Sequence, residues 1–394
     1  MKTTKSVIIL SGLFALCAWA GAGDGGESQT LAIRAGKIYT MTGEPISEGV
    51  ILVGGKGKIT DVRKGKDVPA DVKLLDMSDK SVMPGMIDAH CHIGLSLDIF
   101  SEIDEITYAV TADMQIIDAF DPLAEDVRKA LNSGVTTVML APGDKNPIAG
   151  QTAVVKLYGE TSEQRIVRSS AGIKFSVKND TLMYDRRPTS RAGLLELIEQ
   201  QLDDAKSYKR GGRPDLCAEV LNRVVQRKLP VYISANAVDE ILCGMAVIEK
   251  YNLNAVLVGA GRSDEIADIV AEKKIPVIVG PMVTLSKDRD LKRIGTMADK
   301  GVRLAFASFG PRTALSDLRT SAILAVKAGM SEEVAMKALT VEAARMLGVS
   351  HRVGIIAKGK DADLAIFSGN PLQAKSTLEM VIINGDIVYQ RQGK

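Results

Sequence analysis

The chain has 394 residues, 46% of them apolar and 25% charged, the make-up of a globular protein of two or three domains or of one barrel with an appendage. Fifty Lys and Arg against 48 Asp and Glu leave a formal charge of +2, and only 4% of residues are aromatic, so neither figure indicates a nucleic-acid partner. Three histidines in the whole chain is the most restrictive count, because most zinc chemistry needs more.

Residues 1–20 read as a secretory leader. Lys2 and Lys5 precede an apolar run from Val7 to Ala20, and Ala18-Trp19-Ala20 is a small-x-small cleavage site. The run is too short to span a bilayer, and the glycine-rich stretch after it would not continue a helix. The mature protein is therefore expected to be exported, periplasmic and free of the membrane. Cys17 departs with the leader; Cys91, Cys217 and Cys243 are too few and too scattered for a disulfide framework or a Cys-x-x-Cys metal pair.

From about Leu31 to Val82, short β-rich runs alternate with glycine turns, as in Leu31–Arg34, Gly49–Val53 and Lys58–Val62, which predicts antiparallel sheet. Next come eight apolar runs suited to buried parallel strands: 85–90, 135–141, 153–157, 173–177, 231–235, 255–259, 276–279 and 304–308. Amphipathic helices are expected among them. One opens at Asp121-Pro122 and closes at Gly134, and others cover 194–206, 216–227, 239–250, 265–273, 318–327 and 331–347. Beyond these, Asp363–Phe367 and the runs flanking Asn384-Gly385 are strands, the latter two joined by an Asn-Gly turn. The fold class is α/β: a (β/α)8 TIM-type barrel over 83–351, with a small composite β-sandwich built from 30–82 and 352–394. Its active site would lie at the C-terminal strand ends. An open doubly wound sheet lacks its usual signature here, since no Gly-x-Gly-x-x-Gly turn opens a helix after a strand.

His90-Cys91-His92 closes the first barrel strand. Residues two apart in a strand share a side, so both imidazoles are expected in the barrel mouth, with Cys91 turned away. Two such imidazoles are half of a zinc-type site.

The stretch Pro84-Gly85-Met86-Ile87-Asp88-Ala89-His90-Cys91-His92 resembles the metal-binding start of the amidohydrolase superfamily, nearest to its imidazolonepropionase-like branch. The resemblance extends through Gly134–Val138, Gly150-Gln151, Ala153–Leu157, Gly359–Leu364 and Asn370–Leu372. It implies a barrel with a composite sheet domain and metal-dependent hydrolysis of amide, often cyclic, C–N bonds, with zinc as the family metal. It also implies four more site residues: a Glu or carboxylated Lys on strand four, a His on each of strands five and six, and an Asp after strand eight. Carried over one at a time, these fall on Asn179 (Asp180 if the register slips by one), Ser234, Gly259 and Phe309.

Four of six positions are thus replaced, and the remaining histidine, His351, lies far along the chain and reads as a surface residue. His90 and His92 are then a vestigial metal pair, binding no metal or holding a divalent ion weakly, and no catalytic residue is assigned. On this reading the chain is a pseudoenzyme serving as a non-catalytic subunit, paired with an intact amidohydrolase relative or with itself as a homo-oligomer. The alternative is a working hydrolase whose atypical site uses His90 and His92, completed by a carboxylated Lys174 or Lys156, or by Asp180 or Asp239 from loops. A third reading, an exported small-molecule binder, has only the open barrel mouth in its favour.

Overall fold

The computed structural model describes residues 29–97, 101–159, 161–209, 211, 214–282 and 286–392. The expected leader lies outside them.

The first four strands are β1 (Gln29–Ile38), β2 (Ile46–Gly54), β3 (Ile59–Lys64) and β4 (Lys73–Pro84). After one residue, Gly85, the chain enters the barrel strands β5 (Met86–Cys91), β6 (Val135–Leu140), β7 (Ile148–Lys156), β8 (Ile166–Ser176), β9 (Val231–Ala235), β10 (Ala255–Gly259), β11 (Val277–Val279) and β12 (Leu304–Phe306). Gly85 is required there, since a Cβ would stand 2.2 Å from the Thr136 hydroxyl. The chain ends in β13 (Leu364–Phe367), β14 (Leu378–Ile383) and β15 (Asp386–Gln390).

Strands from both ends form one seven-stranded sheet in the order β15-β14-β13-β4-β1-β2-β3. The Asn384-Gly385 turn has positive φ at both residues (53° and 84°), as an Asn-Gly hairpin needs. The sheet is not wholly antiparallel as expected: β4 runs parallel to β1. β4 is the hinge of the composite, because its other edge takes β13, so the C-terminal strands dock beside the N-terminal ones.

The other eight strands lie side by side in chain order from β5 to β12, the expected barrel. It closes where Phe309 N–H donates to His90 O (3.1 Å) and His92 N–H to Gly310 O (2.7 Å). One strand departs from the parallel pattern: β7 is antiparallel to both β6 and β8. The connection 141–147 is too short for a parallel crossover, which takes about a dozen residues, so the chain turns back directly.

The helices are α1 (Glu125–Ala130), α2 (Ser162–Arg165), α3 (Arg191–Ser207), α4 (Leu216–Val225), α5 (Val238–Tyr251), α6 (Ala267–Glu272), α7 (Asp288–Asp299), α8 (Asp317–Lys327), α9 (Glu332–Ala338) and α10 (Val341–Met346). The helix expected at Asp121-Pro122 starts later, because Asp121 accepts from Leu123 N–H in a turn of its own. The single helix expected over 331–347 breaks at Thr340, whose φ and ψ of −135° and −93° are not helical. That break lets α10 swing under the barrel. Its Ala343, Ala344 and Met346 pack with Ile87, Val256, Ile278 and Ala305, and Tyr232 Oη donates to Met346 O (3.0 Å). The N-terminal end of the barrel is thereby plugged, leaving the C-terminal end as the mouth. Among the described residues no helix is long and apolar enough to cross a membrane.

One buried cation ties barrel to sheet. Lys156, the last residue of β7, has no solvent exposure; its Nζ donates to Asp361 Oδ2 (2.7 Å), to Asp363 (2.9 Å) and to the Asn384 side chain. Lys58 and Arg352 add further bonds to Asp361. Burial pushes the Asp361 carboxyl up, but Lys156 and Lys58 outweigh it and hold the group below its ordinary value. Lys156 is neither a surface charge nor near the histidines.

Removing one partner of a buried ion cluster leaves uncompensated charge at a cost of about 3–5 kcal/mol. Lys156→Met should therefore lose stability on that scale in urea unfolding, while Lys66→Met, on an exposed pair with Glu48, should lose under about 1 kcal/mol. Equal losses would contradict the role given to Lys156.

Candidate functional site

The mouth is built around the end of β5. Pairing with β6 slips between Asp88 and Cys91, so the strand is irregular where its polar residues stand. His90 and His92 meet edge to face, ring centroids 5.2 Å apart, and Cys91 joins the outer apolar layer. His92 Nδ1 donates to Ala141 O (2.8 Å), which leaves Nε2 as the free acceptor.

The strand-four side chain that reaches this pair is Lys174. It sits between Ile173 and Phe175, which face the outer layer, so strand alternation turns Lys174 inward with no exposure. Its Nζ lies 3.1 Å from His90 Nε2, 2.8 Å from Asp144 Oδ1 and 3.2 Å from Pro142 O. The second Asp144 oxygen pairs with Lys178 (2.9 Å). Burial pushes the Asp144 carboxyl up, but Lys174 and then Lys178 overrule it and hold it far below the usual carboxylate range. Asp104, on a loop facing Gly143, is lifted by burial to about 6 despite the neighbouring Lys174.

The four positions assigned by resemblance lie as follows. Asn179 is in a short turn after β8, its side chain accepting from Arg191 (3.2 Å) on the exposed side, away from the histidines. Asp180 pairs with Lys178, and Asp239 with Arg191. Ser234, on β9, is buried, and its hydroxyl helps hold the Asp144 carboxyl low. Gly259 ends β10 at φ 81°, and a Cβ there would come within 2.6 Å of the Asn236 side-chain oxygen. Phe309 stacks on His90, centroids 4.7 Å apart, with a φ of 55°. His351 is exposed in a turn.

Sequence reasoning missed Asp144, which sits on a loop without periodicity, and the role of Asp88. Asp88 is buried; it accepts from Ser308 N–H (3.0 Å), from the Ser308 hydroxyl and from His90 N–H (3.2 Å), bracing the seam where the barrel closes. A carboxylate two residues before His-x-His was the available signal. Burial lifts Asp88 to about 6 against these hydrogen bonds. His92 moves the other way, down to about 4, through burial and then Lys174; His90 is held well below its ordinary value by burial, then Lys174 and His92.

As a metal site the donors are inadequate. A divalent ion needs three or four converging ligands, and the His90 lone pair it would take is already directed at an ammonium. Among the described residues no group of three or more His, Cys, Asp or Glu side chains converges in a way that could hold a metal.

The chain matches a family model described as "Amidohydrolase family" over residues 196–389. A solved structure of an amidohydrolase from Thermotoga maritima MSB8 is 31% identical, with a TM-score of 0.85 over 92% of this chain and 100% of that one. An imidazolonepropionase from Thermoplasma acidophilum is 22% identical over 86% of this chain and 89% of its own length. A 5-methylthioadenosine/S-adenosylhomocysteine deaminase from Caldanaerobacter subterraneus is also 22% identical, over 92% and 93%.

The opposed shifts give a signed pH dependence. A histidine kept neutral in the fold costs stability as pH falls from 6.5 toward 4; an Asp raised to about 6 returns stability over much of that range. Asp88→Asn should therefore steepen the acid loss of unfolding free energy between pH 6.5 and 4, and His92→Gln should flatten it. Urea titrations at pH 4 to 7.5 read both slopes, and the reverse ordering would contradict the assignment.

Proposed function

The chain belongs to the amidohydrolase family, in its imidazolonepropionase-like branch, and we propose that it has kept the family barrel without the family's metal-dependent hydrolysis. Its relatives include an imidazolonepropionase and a deaminase, and the family resemblance implies hydrolysis of C–N bonds with a divalent metal such as zinc, which a solved adenosine deaminase of similar fold holds. Hydrolysis of that kind needs an ion to acidify water and a base to take its proton. The observation that carries the proposal is Phe309: an apolar ring lies 4.7 Å from His90 at the position that resemblance gives to the proton-accepting Asp. Ser234 and Gly259, at two further ligand positions, supply a buried hydroxyl in place of an imidazole and no side chain at all.

On this proposal the barrel serves as an exported, non-catalytic subunit, paired with an intact amidohydrolase or with a second copy of itself. The leader-like residues 1–20 support export. The working-hydrolase alternative is the weaker reading: of its candidates only Lys174 reaches His90, where it is paired with Asp144, while Lys156 is committed to the sheet domain and Asp180 and Asp239 to surface pairs.

Purified mature protein supplied with zinc or manganese at neutral pH should retain far less than one ion per chain. It should co-purify from its native source with a second amidohydrolase carrying the full ligand set, or behave as a homo-oligomer in light scattering. Stoichiometric metal, together with a C–N hydrolase activity abolished by His90→Ala or His92→Ala, would overturn the reading. Its N-terminal sequence should begin after Ala20 if export is as proposed.

A further inference from the structure

Lys174 is more than a filler of the space beside His90. An ammonium has three protons, and three acceptors stand around this one: His90 Nε2, Asp144 Oδ1 and the Pro142 carbonyl. The Lys174 side chain itself has no solvent exposure, and it makes two hydrogen bonds and one ion pair. An anion, an imidazole lone pair and a backbone oxygen converging on one point is also how a protein holds a metal ion. We infer that the Lys174 ammonium has taken over the place and the positive charge of a metal ion in this barrel, and that it keeps divalent cations out.

The inference rests on the non-catalytic reading above and gives it a cause. A zinc-class ion would need the His90 Nε2 lone pair at about 2.0–2.1 Å, and that lone pair is engaged by Lys174. A dication would also have to approach an ammonium at hydrogen-bond range with little solvent to screen the two. His92 is fixed by Ala141 O with Nε2 free, as backbone carbonyls fix ligating histidines, and Asp144 keeps Lys178 as a partner without Lys174. Neutralising position 174 should thus release the His90 lone pair to an incoming cation, with His92 Nε2 the nearest free imidazole nitrogen.

The test is a cobalt(II) titration followed by visible absorption, on wild type, Lys174→Met, Lys174→Gln and Lys174→Met/His90→Ala, each with and without bicarbonate. Wild type should give no His90-dependent band in either medium. Lys174→Met and Lys174→Gln should gain one, with apparent affinity at least about a hundredfold above wild type, and the added His90→Ala should abolish it. If wild type binds an ion through His90, the inference and the non-catalytic reading both fall. If wild type stays empty and the folded variants stay empty too, only this inference falls. Should neither variant fold, wild type incubated with ¹³C-bicarbonate and cobalt or zinc decides: no lysine carbamate resonance is expected, and its appearance would show a neutral amine recruited to bind metal, overturning the inference.

Discussion

A lysine ammonium taken out of water has to be met by acceptors on every side, and two strands of this barrel carry one. Lys156 ends β7 and Lys174 lies within β8, both without exposure. Because β7 runs opposite to β8, the two side chains emerge at opposite ends of the barrel. Lys156 meets Asp361, Asp363 and Asn384 of the composite sheet, whereas Lys174 meets His90 and Asp144 at the mouth. The reversal of one strand thus decides that one ammonium serves architecture and the other the site.

The same division explains how the fold would survive the proposed loss of the chemistry. The interior layer of Ile87, Tyr232, Val256, Ile278 and Ala305 packs against α10, and the seam is held by backbone bonds at His90, His92, Phe309 and Gly310 and by Asp88. None of these contacts uses a ligand lone pair. A metal ion in such a barrel contributes charge compensation for the polar groups at the mouth, and a lysine on the correct face can do that permanently.

What the sequence showed depended on whether neighbours along the chain carried the signal. The His90-x-His92 pair, the eight apolar runs, the Asn384-Gly385 turn and the returning strands are local patterns, and each forms the element expected. The direction of β7 is set by the length of the 141–147 connection, a feature apolar patterning does not express. α7 was missed because Asp288–Asp299 is predominantly polar, with only one narrow buried face at Ile294, Gly295 and Met297. The break at Thr340 is imposed by packing under the barrel. Lys174 was visible as a charge inside an apolar run, but its partner Asp144 sits on a loop and is brought to it only by closure of the barrel.

On the proposed reading, single substitutions at the mouth toward the family's residues would not by themselves make a metal site. A histidine at Gly259 would have to hold a left-handed φ of 81° and displace Asn236, a conformation disfavoured for any side chain and worse for a large one. A histidine at Ser234 would remove the hydroxyl that helps hold the Asp144 carboxyl low and crowd the carboxylate between its two lysines. An aspartate at Phe309 would bring a charge against His90 where the ring now shields it, in a backbone conformation with φ of 55° that aspartate tolerates better than phenylalanine. That last position is the least entrenched sterically, yet it restores only a base with no coordinated water to act on. The order of constraint therefore runs from the cation outward: while an ammonium occupies the centre, a ligand regained at the rim has nothing to bind.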